Sequence, residues 1–120
     1  MHTRIQVEVS RDVRSDLAAV IEAMPAAKLI GLQVIGFGKD GWSRLELPIR
    51  NESTFDGKHV QGGIIGMLAD FAGVSAAAAA FESGWLASTT GFEVHNLAPA
   101  HGERLIAIGL PYRIIGGARF

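Results

Sequence analysis

The longest apolar stretch runs from Ile64 to Phe81 (IIGMLADFAGVSAAAAAF), and Asp70 is its only ionisable side chain. Apolar residues occupy every side of the helix this stretch predicts, the pattern of a helix enclosed by the rest of a fold. At the helical rise it would be about 27 Å long, enough to cross a membrane. Asp70, Ser75, Gly66 and Gly73 weaken that reading, and the alanines at 76–80 are only marginally apolar. A helix buried in a soluble fold is the simpler expectation, with the alanines suited to close approach by a sheet.

The remaining elements are shorter. Asp16 to Met24 has helical spacing, with Leu17, Val20, Ile21 and Met24 on one side, and Pro25 should end it or lie in its last turn. Lys28 to Gly38 alternates through Ile30, Leu32 and Val34, and Ser43 to Arg50 through Leu45, Leu47 and Ile49. Two strands joined by Lys39-Asp40-Gly41 make a β-hairpin. Asn51 to Val60 is a polar loop that leads into the long helix. Beyond it Ser83-Gly84 breaks the pattern, Thr89 to Leu97 is extended, and Pro99 to Glu103 turns. Arg104 to Tyr112 is almost wholly apolar, as a central strand would be, although Pro111 points to an edge or bulge near its end.

Composition narrows the function classes. The chain has 120 residues, 48% of them hydrophobic, which is one globular domain (residues 1–120) with a core of its own. Its net charge of -1 gives no basic footprint, so nucleic acid is not an expected partner. Without cysteine there is no disulfide, zinc-thiolate site or cysteine nucleophile, which fits a reducing compartment. The start of the chain mixes charges of both signs and does not resemble a secretory signal, so the expected address is cytoplasmic, with no membrane partner.

Three motif matches carry little. Gly36-Phe37-Gly38-Lys39-Asp40-Gly41 has dinucleotide-site spacing, but an alternating strand pattern follows it where a helix is required, so it reads as the hairpin turn. The four histidines, His2, His59, His95 and His101, lack metal-ligand spacing, and no metal is expected. Ser75 in GVSAA lacks the second glycine of a nucleophile elbow and reads as packing.

What remains is Gly62-Gly63 at a helix start and a carboxylate two turns further on. Free N–H groups at a helix N-terminus carry partial positive charge and can polarise a carbonyl oxygen, and glycine admits a close approach. Asp70 lies on nearly the same helical face as Gly63, so acid and donors could bracket one reacting carbon, which suggests acyl transfer. The plainer alternative is a tight turn at Gly62-Gly63, with Asp70 paired to a cation or exposed at an edge.

The segment Gln61–Gly73 (QGGIIGMLADFAG) resembles the H-G-G-x-x-x-x-L-A-D-x-A signature of PaaI-type hotdog-fold acyl-CoA thioesterases. The stretch from Met24-Pro25 to Asn51 resembles that family's first hairpin, and Phe92–Gly109 resembles its strand, Pro-containing turn and strand after the helix. The resemblance implies an α+β hotdog fold, a long helix wrapped by a curved antiparallel sheet, and subunits paired as a homodimer or homotetramer with active sites at their interface. It implies that Asp70 acts as general base on water or attacks the thioester carbonyl itself, and that Gly62 donates its N–H to the thioester oxygen. Gln61 and Gly63 would border the substrate. A Ser or Thr at the start of the next strand would help hold the water; counting back from Pro99 this is Thr89, with Ser88 and Thr90 as rivals. Coenzyme A would enter only as part of the substrate, without a further cofactor.

The chain departs from the family pattern in three places. Gln61 replaces the common His, where its amide can still orient a loop or carbonyl. The Asn that often precedes the motif is missing, with Thr54 or Phe55 near its place and Asn51 too early. The chain stops at Phe120, where the family continues with a further strand or two, so the C-terminal strands are expected to be short or missing. The leading expectation is an acyl-CoA thioesterase. The alternative is a non-catalytic hotdog module binding acyl-CoA or a partner subunit, and a hotdog dehydratase would need a His-plus-acid pattern that is not found.

Overall fold

The computed structural model describes residues 8–81, 87–111, 114–115 and 118–119. Met1–Val7, the Ser83-Gly84 break, Trp85 and Arg113 lie outside them. Helices α1 (Ser15–Ala23) and α2 (Pro25–Ile30) lead into strands β1 (Gln33–Phe37) and β2 (Ser43–Pro48). A 3-10 turn at Asn51–Ser53 precedes the long helix α3 (Gly62–Ala79), which is followed by β3 (Arg104–Gly109). β1, β2 and β3 form an antiparallel sheet in that order, and α3 packs on one face of it. Two short strands, β4 (Ile114–Ile115) and β5 (Ala118–Arg119), pair with each other.

The core lies between α3 and the sheet. Leu45, Leu47, Val34 and Phe37 from the strands meet Leu68 and Ala72 from α3, with Ala18, Ile21, Ala27 and Ile30 closing one end. The expected hairpin is present: Gly38 N–H donates to Trp42 O at 2.8 Å, and Gly41, at φ 83°, makes the turn at the end of the G-x-G-x-x-G match. Gly36 lies against the backbone of Ser10, which bonds both ways with Phe37 and extends the edge of β1.

Several boundaries differ from the pattern-based reading. Residues 28–30 are the end of α2, because Pro25 opens a new helix at its N1 position and Gly31, at φ 74°, closes it; β1 begins only at Gln33. Ile30, Leu32 and Val34 are nevertheless all buried, so the end of a helix and the start of a strand together mimic one alternating run. On α1 the buried face is Ala18 and Ile21, whereas Val20 and Met24 are exposed. Ala18 is fully buried and Leu17 packs against the core, so the buried face is turned from the expected one by about one residue. Arg104 to Gly109 is not a central strand: among the described residues β3 pairs on one side only, and β2 is the middle strand, while Tyr112 lies outside the described residues. Residues 89–97, expected to be extended, form no ladder among the described residues.

The α3 helix is long and apolar enough to cross a membrane by length and composition. Its Leu68, Ala72 and Ala76 are covered by the rest of the chain, while Gly63, Ala69 and Gly73 are exposed. Its C-terminus is held from outside. Arg14, the one described non-glycine residue with positive φ (51°), sends its guanidinium to the carbonyls of Ala78, Ala79 and Phe81 and also pairs with Asp16. A cation at the negative end of a helix is favourable, and its hydrogen bonds offset a left-handed backbone that costs about 1–2 kcal/mol. Arg14→Ala should therefore lower stability by about 1–2 kcal/mol in urea unfolding, because it loses these bonds and keeps the strain. Arg14→Gly should lose less, since glycine tolerates this φ. Equal losses in the two variants would show that the backbone strain is not a factor.

Candidate active site

The start of α3 is fixed by its own N-cap. The Gln61 Oε1 accepts from the backbone N–H of Gly63 at 2.6 Å and of Ile64 at 3.2 Å. A Cβ at position 63 would lie 2.8 Å from that oxygen, so Gly63 gives the amide room to fold back over the helix end. Two of the free donors at the N-terminus are thus occupied from within the chain. Among the described residues the N–H of Gly62 has no such partner. Gln61 itself is anchored by donation from its N–H to Ser53 O, while Val60 N–H bonds Ala100 O.

The loop before Gln61 is similarly constrained. Asp56 accepts from the N–H of Lys58 and of His59 and meets His59 Nδ1 at 2.5 Å. The backbone N–H of His59, and then its ring, hold the Asp56 carboxyl well below the usual carboxylate range. His59 stacks on Phe55 and meets His101 edge-on. Thr54 accepts from Gly57 N–H and donates to Asn51 O, which commits it to the turn.

Two turns along α3, Asp70 is half-buried on the side away from the sheet core. The Thr89 hydroxyl donates to Asp70 Oδ1 at 2.6 Å. Of the three hydroxyl candidates Ser88, Thr89 and Thr90, Thr89 is the one the structure brings to the carboxylate. No ion pair involves Asp70 among the described residues, so pairing with a cation does not account for it. Nor is it fully enclosed, and the desolvation expected of an acid inside an all-apolar helix is only partial.

The extended segment from Thr89 to Leu97 crosses this side of α3. Phe92 and Val94 lie over Gly66, and Asn96 lies beside Gly62. Asn96 was not legible as a site residue, yet there was a signal: Phe92, Val94 and Asn96 share one face of an alternating segment, and the amide interrupts that row. No group of three or more metal-ligating side chains is found among the described residues. Arg104 pairs with Glu46 at 3.3 Å and donates to Gln33 Oε1 at 2.7 Å. Among the aromatics, Phe71 packs against the core, whereas Phe55 and Phe92 are 68% and 61% exposed and do not fill it.

This arrangement of helix and sheet has close counterparts among solved structures. The E. coli PaaI protein from the phenylacetic acid degradation operon aligns with a TM-score of 0.73 at 19% identity, over 91% of this chain and 77% of its own. A Haemophilus influenzae thioesterase aligns with a TM-score of 0.75 at 20% identity, over 85% and 70%. The fold is that of the PaaI-type hotdog thioesterases. A thioesterase family protein from Silicibacter pomeroyi shares the hotdog arrangement with a TM-score of 0.66 at 26% identity, over 82% of this chain and 68% of its own. No family model and no curated protein sequence matches the chain.

Proposed function

We propose that the protein hydrolyses an acyl-CoA or related thioester to free acid and thiol, as a soluble cytoplasmic single-domain enzyme that needs no metal or further cofactor. The observation that carries this reading is the Thr89–Asp70 hydrogen bond on a hotdog helix that begins at Gly62. With Oδ1 held by Thr89, Oδ2 is available to take a proton from water as the water oxygen attacks the thioester carbon. The carbonyl oxygen gains negative charge and is stabilised by the Gly62 N–H. Collapse of the tetrahedral adduct breaks the C–S bond and releases the thiolate, which takes up a proton, while the acyl group leaves as the acid. Direct attack by the Asp70 carboxylate would pass instead through an anhydride that water then cleaves.

Helix geometry bears on where the site is assembled. Eight residues of helical rise put about 12 Å between the Cα atoms of Gly62 and Asp70. A donor and a base acting on one carbonyl through a water must lie within roughly 8–9 Å of each other. The Asp70 side chain leans back toward the helix N-terminus and recovers only part of the difference. We therefore place Gly62 of one copy opposite Asp70 and Thr89 of a second copy in a homodimer. The extended segment offers the edge for pairing: its backbone has no ladder partner among the described residues, and Phe92 and Leu97 are exposed.

The test is release of free thiol from a panel of aryl- and alkyl-CoA thioesters, with oligomeric state measured on the same sample. Turnover by a dimer or tetramer is the expected result. A folded oligomer that releases no thiol, but is stabilised against heat by the same thioesters, would be the non-catalytic binding module.

A further inference from the structure

The geometry points to Asn96 as a second hydrogen-bond donor to the thioester carbonyl, working beside the Gly62 N–H. This rests on the proposed thioester chemistry and adds a residue to it. A Cβ placed on Gly62 would sit 3.3 Å from Asn96 Nδ2, the one described atom within 4 Å of it outside the adjoining residues and the helix's own backbone. Backbone geometry then puts Nδ2 within about 5.8 Å of the Gly62 nitrogen. A single oxygen about 2.9 Å from each of two donors accommodates separations up to that value. By distance, one acceptor oxygen can be reached by both donors.

The surroundings favour that use of the amide. The other donors at the helix start are unavailable, because Gln61 Oε1 holds those of Gly63 and Ile64. A developing oxyanion there would have Gly62 alone, and one backbone donor is a weak oxyanion hole. Asn96 makes no hydrogen bond among the described residues, so its amide is not committed elsewhere. It also continues the row of Phe92 and Val94 that faces α3 over Gly66, a row in which an apolar residue would pack equally well. An uncommitted amide in that row, next to the one uncommitted N–H of the helix start, forms a pair of donors.

The test compares Asn96→Ala, Asn96→Asp and wild type by thiol release, and by the C=O stretch of a 13C-labelled acyl-CoA bound to the slow Asp70→Asn variant with and without Asn96→Ala. The expected result is a fall in kcat on the order of tenfold to a hundredfold in Asn96→Ala at near-constant KM. Asn96→Asp, of the same shape but with a negative charge and no donor, should fall further. The bound carbonyl should lie at lower frequency when Asn96 is present and move back toward the free value when it is not. Unchanged kcat and an unchanged carbonyl frequency in Asn96→Ala would overturn the role of Asn96 and leave thioester hydrolysis intact. A wild type without turnover would overturn the hydrolysis, and the carbonyl frequency alone would then decide for or against Asn96. Absence of thioester binding would overturn both.

Discussion

Asp70→Asn is expected to retain the fold and oligomeric state of the wild type and to lose at least two orders of magnitude in thiol release. The substitution is nearly isosteric and keeps an oxygen to accept the Thr89 hydroxyl, so the 2.6 Å contact can persist. What it removes is the proton acceptor and the negative charge. A neutral amide can neither deprotonate water at physiological pH nor attack a thioester as a carboxylate does. A hundredfold loss corresponds to about 2.7 kcal/mol of transition-state stabilisation, within the range for a general base. Since Asp70 is only half-buried and makes no ion pair among the described residues, stability should change little, which keeps the kinetic result free of unfolding. Rates within threefold of the wild type would remove Asp70 from the mechanism. Single-turnover hydrolysis in 18O-labelled water separates the two roles: with a general base the released acid carries the label, whereas with a nucleophilic carboxylate whose anhydride is cleaved at the Asp70 carbonyl the label enters Asp70 and the first acid released carries none.

The same helix shows what was legible in the sequence and what was not. The all-round apolar pattern with one acid identified α3 and Asp70 without knowledge of the fold, because an uncompensated charge is conspicuous among residues that otherwise share one environment. The Gly-Gly start was legible for a similar reason, since two adjacent glycines ahead of a helix have little packing value. Thr89 could be located only to within one residue. Which hydroxyl faces the carboxylate depends on how the segment that carries it crosses the helix, which residue spacing alone does not fix. The role of Gln61 was read as orientation of a loop or carbonyl, whereas its amide oxygen is the N-cap of α3. A glutamine, one bond longer than Asn or Asp and two longer than Ser or Thr, reaches back only because Gly63 presents no side chain, a contingency outside single-residue preference. The face of α1 was only half legible: Ile21 is buried and Leu17 packs against the core, but Val20 and Met24 are exposed while Ala18 is fully buried, because the pattern weights residues by hydrophobicity and overlooks a small one.

Gly109→Ala should be the most damaging single-methyl change away from the site, with a loss of about 3 kcal/mol or more and, at physiological temperature, little folded protein. Gly109 ends β3 opposite Ser43 and lies directly beneath α3. A Cβ there would be 2.2 Å from Ala72 O, 2.8 Å from Ala72 C and 2.5 Å from Ser43 Oγ. The first two atoms are helix backbone and cannot swing aside, so α3 itself would have to lift from the sheet. The Ala72 carbonyl also accepts the hydroxyls of Ser43 at 3.1 Å and Ser75 at 3.0 Å, and both serines are buried. Lifting the helix would break the first of these bonds and open the core around Leu45 and Leu68. Ser43→Ala distinguishes this account from a clash with the serine alone. By itself it should cost about 1 kcal/mol, the value of a buried hydrogen bond, and combined with Gly109→Ala it should recover little, because the carbonyl remains in the way. Recovery to near wild-type stability in the double variant would mean that the helix is free to move and that Ser43 was the obstacle. Ala72 follows Asp70 by two residues, so any shift that admits the methyl also displaces the carboxylate. Molecules of the Gly109→Ala variant that do fold should therefore be impaired in thiol release as well as in stability, and this coupling ties the seat of the helix to the position of the acid.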